Sequence, residues 1–402
     1  MSSGRERKHD RQEPVEVTIL GVHVKSAGYP NVAFRVRDLV RSPVLQTREI
    51  NFPFSATPPY GGSRSRVLKP LKWLWITLRF FYAHIHVLSA YFWRGCPRRL
   101  YVPYPSALVL FCLSLLPKFW RPRQMIADCF ISLYDTAITD RMLFQPHSWF
   151  ARTLRSVESR GYRAADMVIV ETDLNAAYFT ETFGLAPTRI MALPLSIDET
   201  CFRPAPYQAH EGPCKVLFIG TFVPLQGVDV IAHAAVSLES RRDIRFRLVG
   251  FGQTAKAVEQ IFRNHSPSNV DWSTPWMDSE ELAQEIRSAD ICLGIFGAGP
   301  KVQRVWPLKN YAYMAIGRTI ITADTLHTRQ MLQRTDAAPF LTVPPGDPAA
   351  LATAIAGLAA DPERRRRYAD NARIFYEKNL SSQDAVKQIV MLFTRGPSTT
   401  PA

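Results

Sequence analysis

The six cysteines, at positions 96, 112, 129, 201, 214 and 292, contain no CxxC pair, and none stands at zinc-ligand spacing from a histidine. A structural zinc module is excluded on that count, and the thiols read as buried and reduced, as a reducing cytoplasm requires. The opening MSSGRERKHDRQE has no apolar stretch behind it, so no secretory leader is expected and residues 1–14 read as a disordered tail. Long apolar runs are scarce as well. The best, Leu71–Trp93, is interrupted by Lys72, Arg79, His84 and His86, which makes it a poor spanning helix. The widest gap is in acidic residues. Between Glu49 and Asp128 there is no aspartate or glutamate, while eleven lysines and arginines fall in the same interval, interleaved with aromatics such as Trp73, Trp75, Phe80 and Trp93.

What is present describes a globular protein with a surplus of positive charge. The 402 residues exceed one ordinary core, so two domains are expected. The formal charge of +14 favours anionic partners such as phosphates or acidic headgroups. The basic aromatic stretch has two readings: a helix lying on an anionic membrane surface, or a core helix with its lysines on the wet side. Nucleic acid is not expected, because no reader module accompanies the charge.

The apolar pattern alternates between short β-branched runs and helical spacing. Val15–Val24 reads as an opening strand, followed by the loop Ser26–Asn31 and a helix. Arg98–Tyr104, Gln124–Phe130 and Ala165–Thr172 read as further strands, with helices over Ala107–Leu116 and Ala151–Ala165. Pro194–Pro213, with four prolines and no sustained period, reads as a linker. The alternation then restarts at KVLFIG (Lys215–Gly220) and continues through FRLVG, ICLGIF and TIITAD. The expected architecture is α/β, with two doubly wound Rossmann-like domains facing a central cleft. The first covers 15–195, a linker 196–214, the second 215–380, and a last helix and tail 381–402.

FIGTFVPLQGVDVIAHAA (Phe218–Ala235), FRLVGFGQ (Phe246–Gln253), ADICLGIFGAGPKVQRVWPLKNYAYMAIGRTIITAD (Ala289–Asp324) and PPGDPAALATAI (Pro344–Ile355) follow one another in order. Together with YVPYPSAL and AADMVIVETDLNAAYFTETFG in the first half, they resemble the retaining GT-B glycosyltransferases of bacterial cell-envelope and polysaccharide assembly, the family 4-like group. The resemblance implies a nucleotide-sugar co-substrate held mainly by the second domain and an acceptor, lipid-linked or polysaccharide, held mainly by the first. It also implies transfer with retention, no metal and no cofactor; the thiols and the opening residues place the expected enzyme in the cytoplasm, at the inner face of the plasma membrane where the basic aromatic stretch is read as a membrane-surface helix. Many members carry two glutamates eight residues apart where this chain has Arg304 and Ala312, and an arginine and lysine where it has Thr221 and Gln226.

Candidate residues follow from strand ends and charge. The donor site is expected at Gly220, Thr221, Phe222, Gln226, Gly227, Gly250 and Gly252, whose backbone N–H groups at a helix N-terminus suit a diphosphate. Lys301, Arg304 and Lys309 surround Pro307 at the start of a helix, where cations are unfavourable unless an anion is present. Lys301 and Arg304, with Asp135, are the expected catalytic groups, because charge develops on the departing phosphate. His23, Tyr29, Tyr104 and Arg141 are expected on the acceptor side. The plainer reading of LYDTAITDR is a structural network, Asp135–Arg141 or Asp140–Arg141, and Glu158 reads as structural. A dinucleotide oxidoreductase is excluded, since the first βα turn lacks GxGxxG. The remaining rival is a silent partner subunit that binds donor without transferring it.

Overall fold

The computed structural model describes residues 13–23, 30–52, 69–208, 211–275 and 277–395. Two parallel six-stranded sheets organise them. The first contains β1 (Val15–Gly21), β2 (Leu45–Asn51), β3 (Arg99–Val102), β4 (Gln124–Asp128), β5 (Met167–Val170) and β6 (Ile190–Ala192), in the order β2-β1-β3-β4-β5-β6. The second contains β7 (Cys214–Ile219), β8 (Ile244–Val249), β9 (Val270–Ser273), β10 (Ile291–Leu293), β11 (Thr319–Ala323) and β12 (Leu341–Val343), in the order β12-β11-β10-β7-β8-β9. Runs such as MVIV, KVLFI and ICL suit this setting, because helices cover both faces of a parallel sheet and polar alternation disappears.

One face of the first sheet is covered by α2 (Lys69–Trp93), α3 (Ala107–Ser114), α4 (Trp149–Ala164) and α5 (Asp173–Phe183), which share a core with the strands through Val87, Leu110, Tyr162 and Phe183. The opposite face is covered by α1 (Pro30–Val40) and, unexpectedly, by the end of the chain. The second sheet carries α6 (Val228–Ser237), α7 (Ala255–His265), α8 (Ser279–Ser288), α9 (Leu308–Ile316), α10 (Leu326–Leu332), α11 (Pro348–Ala359) and α12 (Pro362–Asn379). After α12 the chain crosses back, and α13 (Ser382–Arg395) buries Ala385, Ile389 and Phe393 against Val17, Ile19, Val36 and Tyr101 of the first domain.

The proline-rich stretch between the sheets is a packed strap rather than a free linker. Tyr207 is buried and donates to Asp290 Oδ1 at 2.6 Å, while Arg365 Nε donates to Tyr207 Oη at 2.8 Å. Arg318 Nη1 donates to Ala205 O at 2.6 Å. At its start, Ser196 joins the buried ion pair of Arg35 and Asp128, whose closest atoms are 2.6 Å apart.

Both sheets place their switch points at the interdomain crevice. In the second, β7 lies between β8 and β10, so the loops after β7 and β10 diverge and leave an opening between them. In the first, the equivalent position is between β1 and β3. The walls are apolar: Val32, Tyr104 and Phe130 from the first domain share a cluster with Trp306, Tyr311 and Ala312 from the second.

Candidate functional site

The loop after β7 approaches its neighbours too closely for side chains. A Cβ on Gly250 would lie 1.9 Å from the Gly220 carbonyl oxygen, and one on Gly252 would lie 2.5 Å from that of Phe222. Gly227 turns in the left-handed region at φ 62° and caps α6, with Gly297 N 2.5 Å from where a Cβ would stand. These glycines let backbone, rather than side chains, form the floor of the crevice. Phe222 is fully buried and stacks on Trp272 at 5.3 Å, so its side chain belongs to the core. Thr221 lies between Gly220 and Phe222 in the same loop, half-buried.

Across the crevice, the segment after β4 supplies the carboxylate that meets the expected cations. Lys301 Nζ lies 3.3 Å from Asp135 Oδ2 and donates to Thr136 Oγ1 at 3.1 Å. Arg304 Nη2 makes a short ion pair with Asp135 Oδ1, and its guanidinium carbon lies 3.9 Å from the centre of the Tyr178 ring. Asp135 therefore pairs with the second domain. The pairing of Asp135 with Arg141 that the sequence suggested is replaced by contacts 166 and 169 positions away, whereas the charge of Arg141 does act on its neighbour Asp140. Asp140, whose pKa is raised by burial, accepts from the Leu225 backbone and faces Lys301. The acidic turn of one domain thus sits on the basic and amide-rich loops of the other.

Glu158 holds that turn in place. Its buried carboxylate accepts from Ser132 Oγ at 2.7 Å, from the amides of Leu133 at 2.7 Å and Tyr134 at 3.0 Å, and from Tyr162 Oη at 2.7 Å. Thr172 adds a second tie: its hydroxyl caps α5 through Asn175 N and donates to the Arg304 carbonyl at 2.5 Å.

Two groups that sequence reasoning passed over belong to this site. Glu171, at the C-terminal end of β5, faces Lys301, Arg304 and Asp135; enclosure between the domains pushes its pKa up to about 8, against the pull of the two cations. Largely protonated at neutral pH, it adds little negative charge. The signal was available, since the polar end of a buried strand had already singled out His23 and Asp135. Asn310, fully buried near the start of α9, leaves both side-chain polar atoms without a partner among the described residues. Arg304 Nη1 is orphaned in the same way. Such buried polar atoms are left for an ordered water, an ion or a ligand to complete their hydrogen bonding.

Lys309 is placed differently from its two neighbours in sequence. Its Nζ donates to Gln226 Oε1 at 2.7 Å and lies 3.6 Å from the Phe218 ring centre; burial pushes its pKa well down. Ala312 is buried on α9 within the apolar cluster. On the first-domain side, His23 is completely buried, with Nε2 3.1 Å from Glu49 Oε1 and 3.2 Å from Asn51 Nδ2, both on β2. Tyr104 packs against Phe130 at 4.7 Å in the interdomain cluster. The Arg141 carbonyl lies 3.5 Å from Gln253 Nε2 across the crevice. Tyr29 lies outside the described residues. Among the described residues, no group of three His, Cys, Asp or Glu is arranged to hold a metal ion.

Comparison with known proteins bears on the same domain. Residues 213–361 match the family model described as glycosyl transferases group 1. The chain is 26% identical over 226 residues to D-inositol 3-phosphate glycosyltransferase 2 of Catenulispora acidiphila, an alignment covering 52% of this chain and 51% of that protein. The chain therefore spans about half the length, or less, of the curated relatives it matches. Among solved structures, sucrose-phosphate synthase of Thermosynechococcus elongatus superposes with a TM-score of 0.66 at 17% identity, covering 95% of this chain and 99% of that one. Anabaena HepE in complex with UDP superposes with a TM-score of 0.66 at 12% identity, covering 95% and 100%.

Proposed function

We propose that the protein transfers a sugar from a nucleotide-sugar donor to an acceptor, with retention of configuration and without a metal; the match of residues 213–361 to the glycosyl transferases group 1 model and the GT-B fold of the chain support this reading. The observation that carries the reading is the enclosed pair of cations at the crevice. Lys301 and Arg304 are each about 10% exposed and share the carboxylate of Asp135, while Arg304 Nη1 has no partner. A diphosphate satisfies such a site, because charge-assisted contacts are strongest where water is excluded.

In this reading the donor diphosphate lies between the Gly220–Gly227 loop and Lys301, with the base and ribose toward α9, where Asn310 offers one acceptor and two donors. Asp135 yields its cations to the phosphate when donor binds. The acceptor, lipid-linked or polysaccharide, enters from the first domain. Its hydroxyl oxygen bonds to the anomeric carbon on the face from which the diphosphate leaves, the carbon–phosphate oxygen bond breaks, and the hydroxyl proton passes to the departing phosphate. Lys301 and Arg304 stabilise the charge that develops there, a contribution that preorganised donors make largest in a closed site. The rival reading of a silent subunit finds no support in the matched curated relatives, which are named as glycosyltransferases.

The test is a transfer assay with a panel of nucleotide sugars in the presence of EDTA, with the anomeric configuration of the product read by NMR. Release of nucleoside diphosphate and a product of unchanged anomeric configuration are expected. Inversion, or activity only with added metal, would overturn the finer reading; donor binding with no turnover on any acceptor would favour the silent subunit.

A further inference from the structure

The helical layer α2–α5 has a second surface, facing away from its sheet. α2 buries Ala83, His84, Val87 and Tyr91 against the core, yet its opposite side is apolar too. Trp75, Leu78, Tyr82 and Ile85 follow one another at helical spacing, and all are more than half exposed. The concentration is local. Of the twenty-two large apolar side chains exposed among the described residues, sixteen fall within residues 75–150. Isolated surface hydrophobes need no explanation, but a clustered stripe marks a surface that meets something apolar. The side chains of Lys69, Lys72 and Trp73 lie outside the described set.

In the same layer, α4 carries a patch of the opposite character. Arg152, Arg155, Arg160 and Arg163 line an open concavity of about 520 Å³, together with Ser156, Ser159 and Thr182. Their recorded side-chain bonds run through Nε to neutral oxygens: Arg155 to Thr182 O, Arg160 to Ser114 Oγ and Arg163 to Phe183 O. Among the described residues none of the four forms an ion pair, and no carboxylate lines the concavity. Four guanidinium groups held together without a counter-charge suit phosphate.

Topology orients this surface. α2 feeds β3 and α4 feeds β5, and both strands run toward the crevice, so the N-terminal ends of both helices lie on the crevice side. There Phe144, in the turn before α4, meets Phe150 of the first helical turn with ring centres 4.4 Å apart, and Trp149 at the helix start is 73% exposed. We propose that this layer docks on an anionic phospholipid bilayer, its aromatic stripe entering the interface and the α4 arginines binding headgroup phosphates, with the crevice brought to the membrane surface. Charge complementarity carries the choice of occupant: α2 and α3 of this layer fall within the acid-free interval from Glu49 to Asp128, and α4 adds the four arginines. A soluble polyanion accounts for the arginines alone; a bilayer accounts for the aromatics as well. No helix among the described residues is long and apolar enough to cross a membrane, so the contact is peripheral. The surface stands independently of the transfer reaction.

The test is flotation with vesicles of phosphatidylcholine alone and of phosphatidylcholine with phosphatidylglycerol, at low and high salt. The protein is expected to float with the anionic vesicles at low salt and to be released by high salt. The double substitution Arg152→Gln with Arg155→Gln should weaken partitioning roughly thirty-fold, at roughly five-fold for each cation. Leu78→Ser with Ile85→Ser should weaken it while preserving the circular dichroism spectrum. Recovery in the soluble fraction under all conditions overturns the proposal. So does retention on immobilised polyphosphate without flotation, which would identify a soluble polyanion, and so does flotation indifferent to the arginine substitutions.

Discussion

The protein holds two clusters of cations, and they are treated in opposite ways. At the crevice, Lys301 and Arg304 are enclosed and reach a carboxylate from the other domain, and Arg304 also stacks on its Tyr178. On α4, four arginines stand exposed with neutral partners alone. The surplus of +14 is therefore not a uniform property of the surface. Enclosure makes each crevice contact strong and each missing partner costly, whereas exposure leaves the α4 cations weak singly and effective only as a group. The first arrangement suits one small anion held tightly. The second suits an extended anionic surface held reversibly.

Breaking an enclosed pair should have the largest effect. Asp128→Ala strands the Arg35 guanidinium, 2% exposed, and is expected to cost about 3–5 kcal/mol in urea denaturation. Arg152→Gln, by contrast, should leave the denaturation midpoint unchanged. Equal effects at the two positions would erase the contrast.

A smaller effect comes from Glu171. Its folded-state pKa of about 8 lies above the usual 4.5, so the stability linked to this proton is complete below about pH 4.5 and is lost as pH rises through about 8. Glu171→Gln keeps the neutral form, and the melting temperature of this variant should gain on wild type as pH rises across that window. Above pH 8 the ionised carboxylate also opposes a diphosphate, so donor affinity should fall in the wild type and hold in the variant. Parallel pH profiles would place Glu171 outside the enclosed cluster.

The sequence was most legible where one physical cause acts alone. Buried parallel strands such as Met167–Val170 and Ile291–Leu293 announce themselves by unbroken apolar composition. β2, reading LQTREIN, was hidden because an edge strand is half wet and its pattern carries polar residues. The return of α13 to the first domain was equally hidden, since an amphipathic period says that a helix packs and not on what. The same limit applies at the site. Lys301, Arg304 and Asp135 were each legible from charge at loop and helix ends, but their meeting is a product of domain closure and no local spacing encodes it. Local spacing favoured Arg141 for Asp135, and the structure supplies Arg304 instead.

The central claim is that the enclosed cations hold a nucleoside diphosphate, and titration calorimetry tests it most directly. Uridine, guanosine and adenosine diphosphates are titrated into wild type, Lys301→Ala and Asp135→Asn. Loss of a charge-assisted contact in Lys301→Ala should weaken the best ligand by about 1.5–3 kcal/mol, roughly ten- to 150-fold. Asp135→Asn, which removes the carboxylate that competes for the same cations, should bind at least as tightly as wild type. Wild-type affinity in Lys301→Ala, or binding abolished in a folded Asp135→Asn, would place the diphosphate elsewhere and contradict the account.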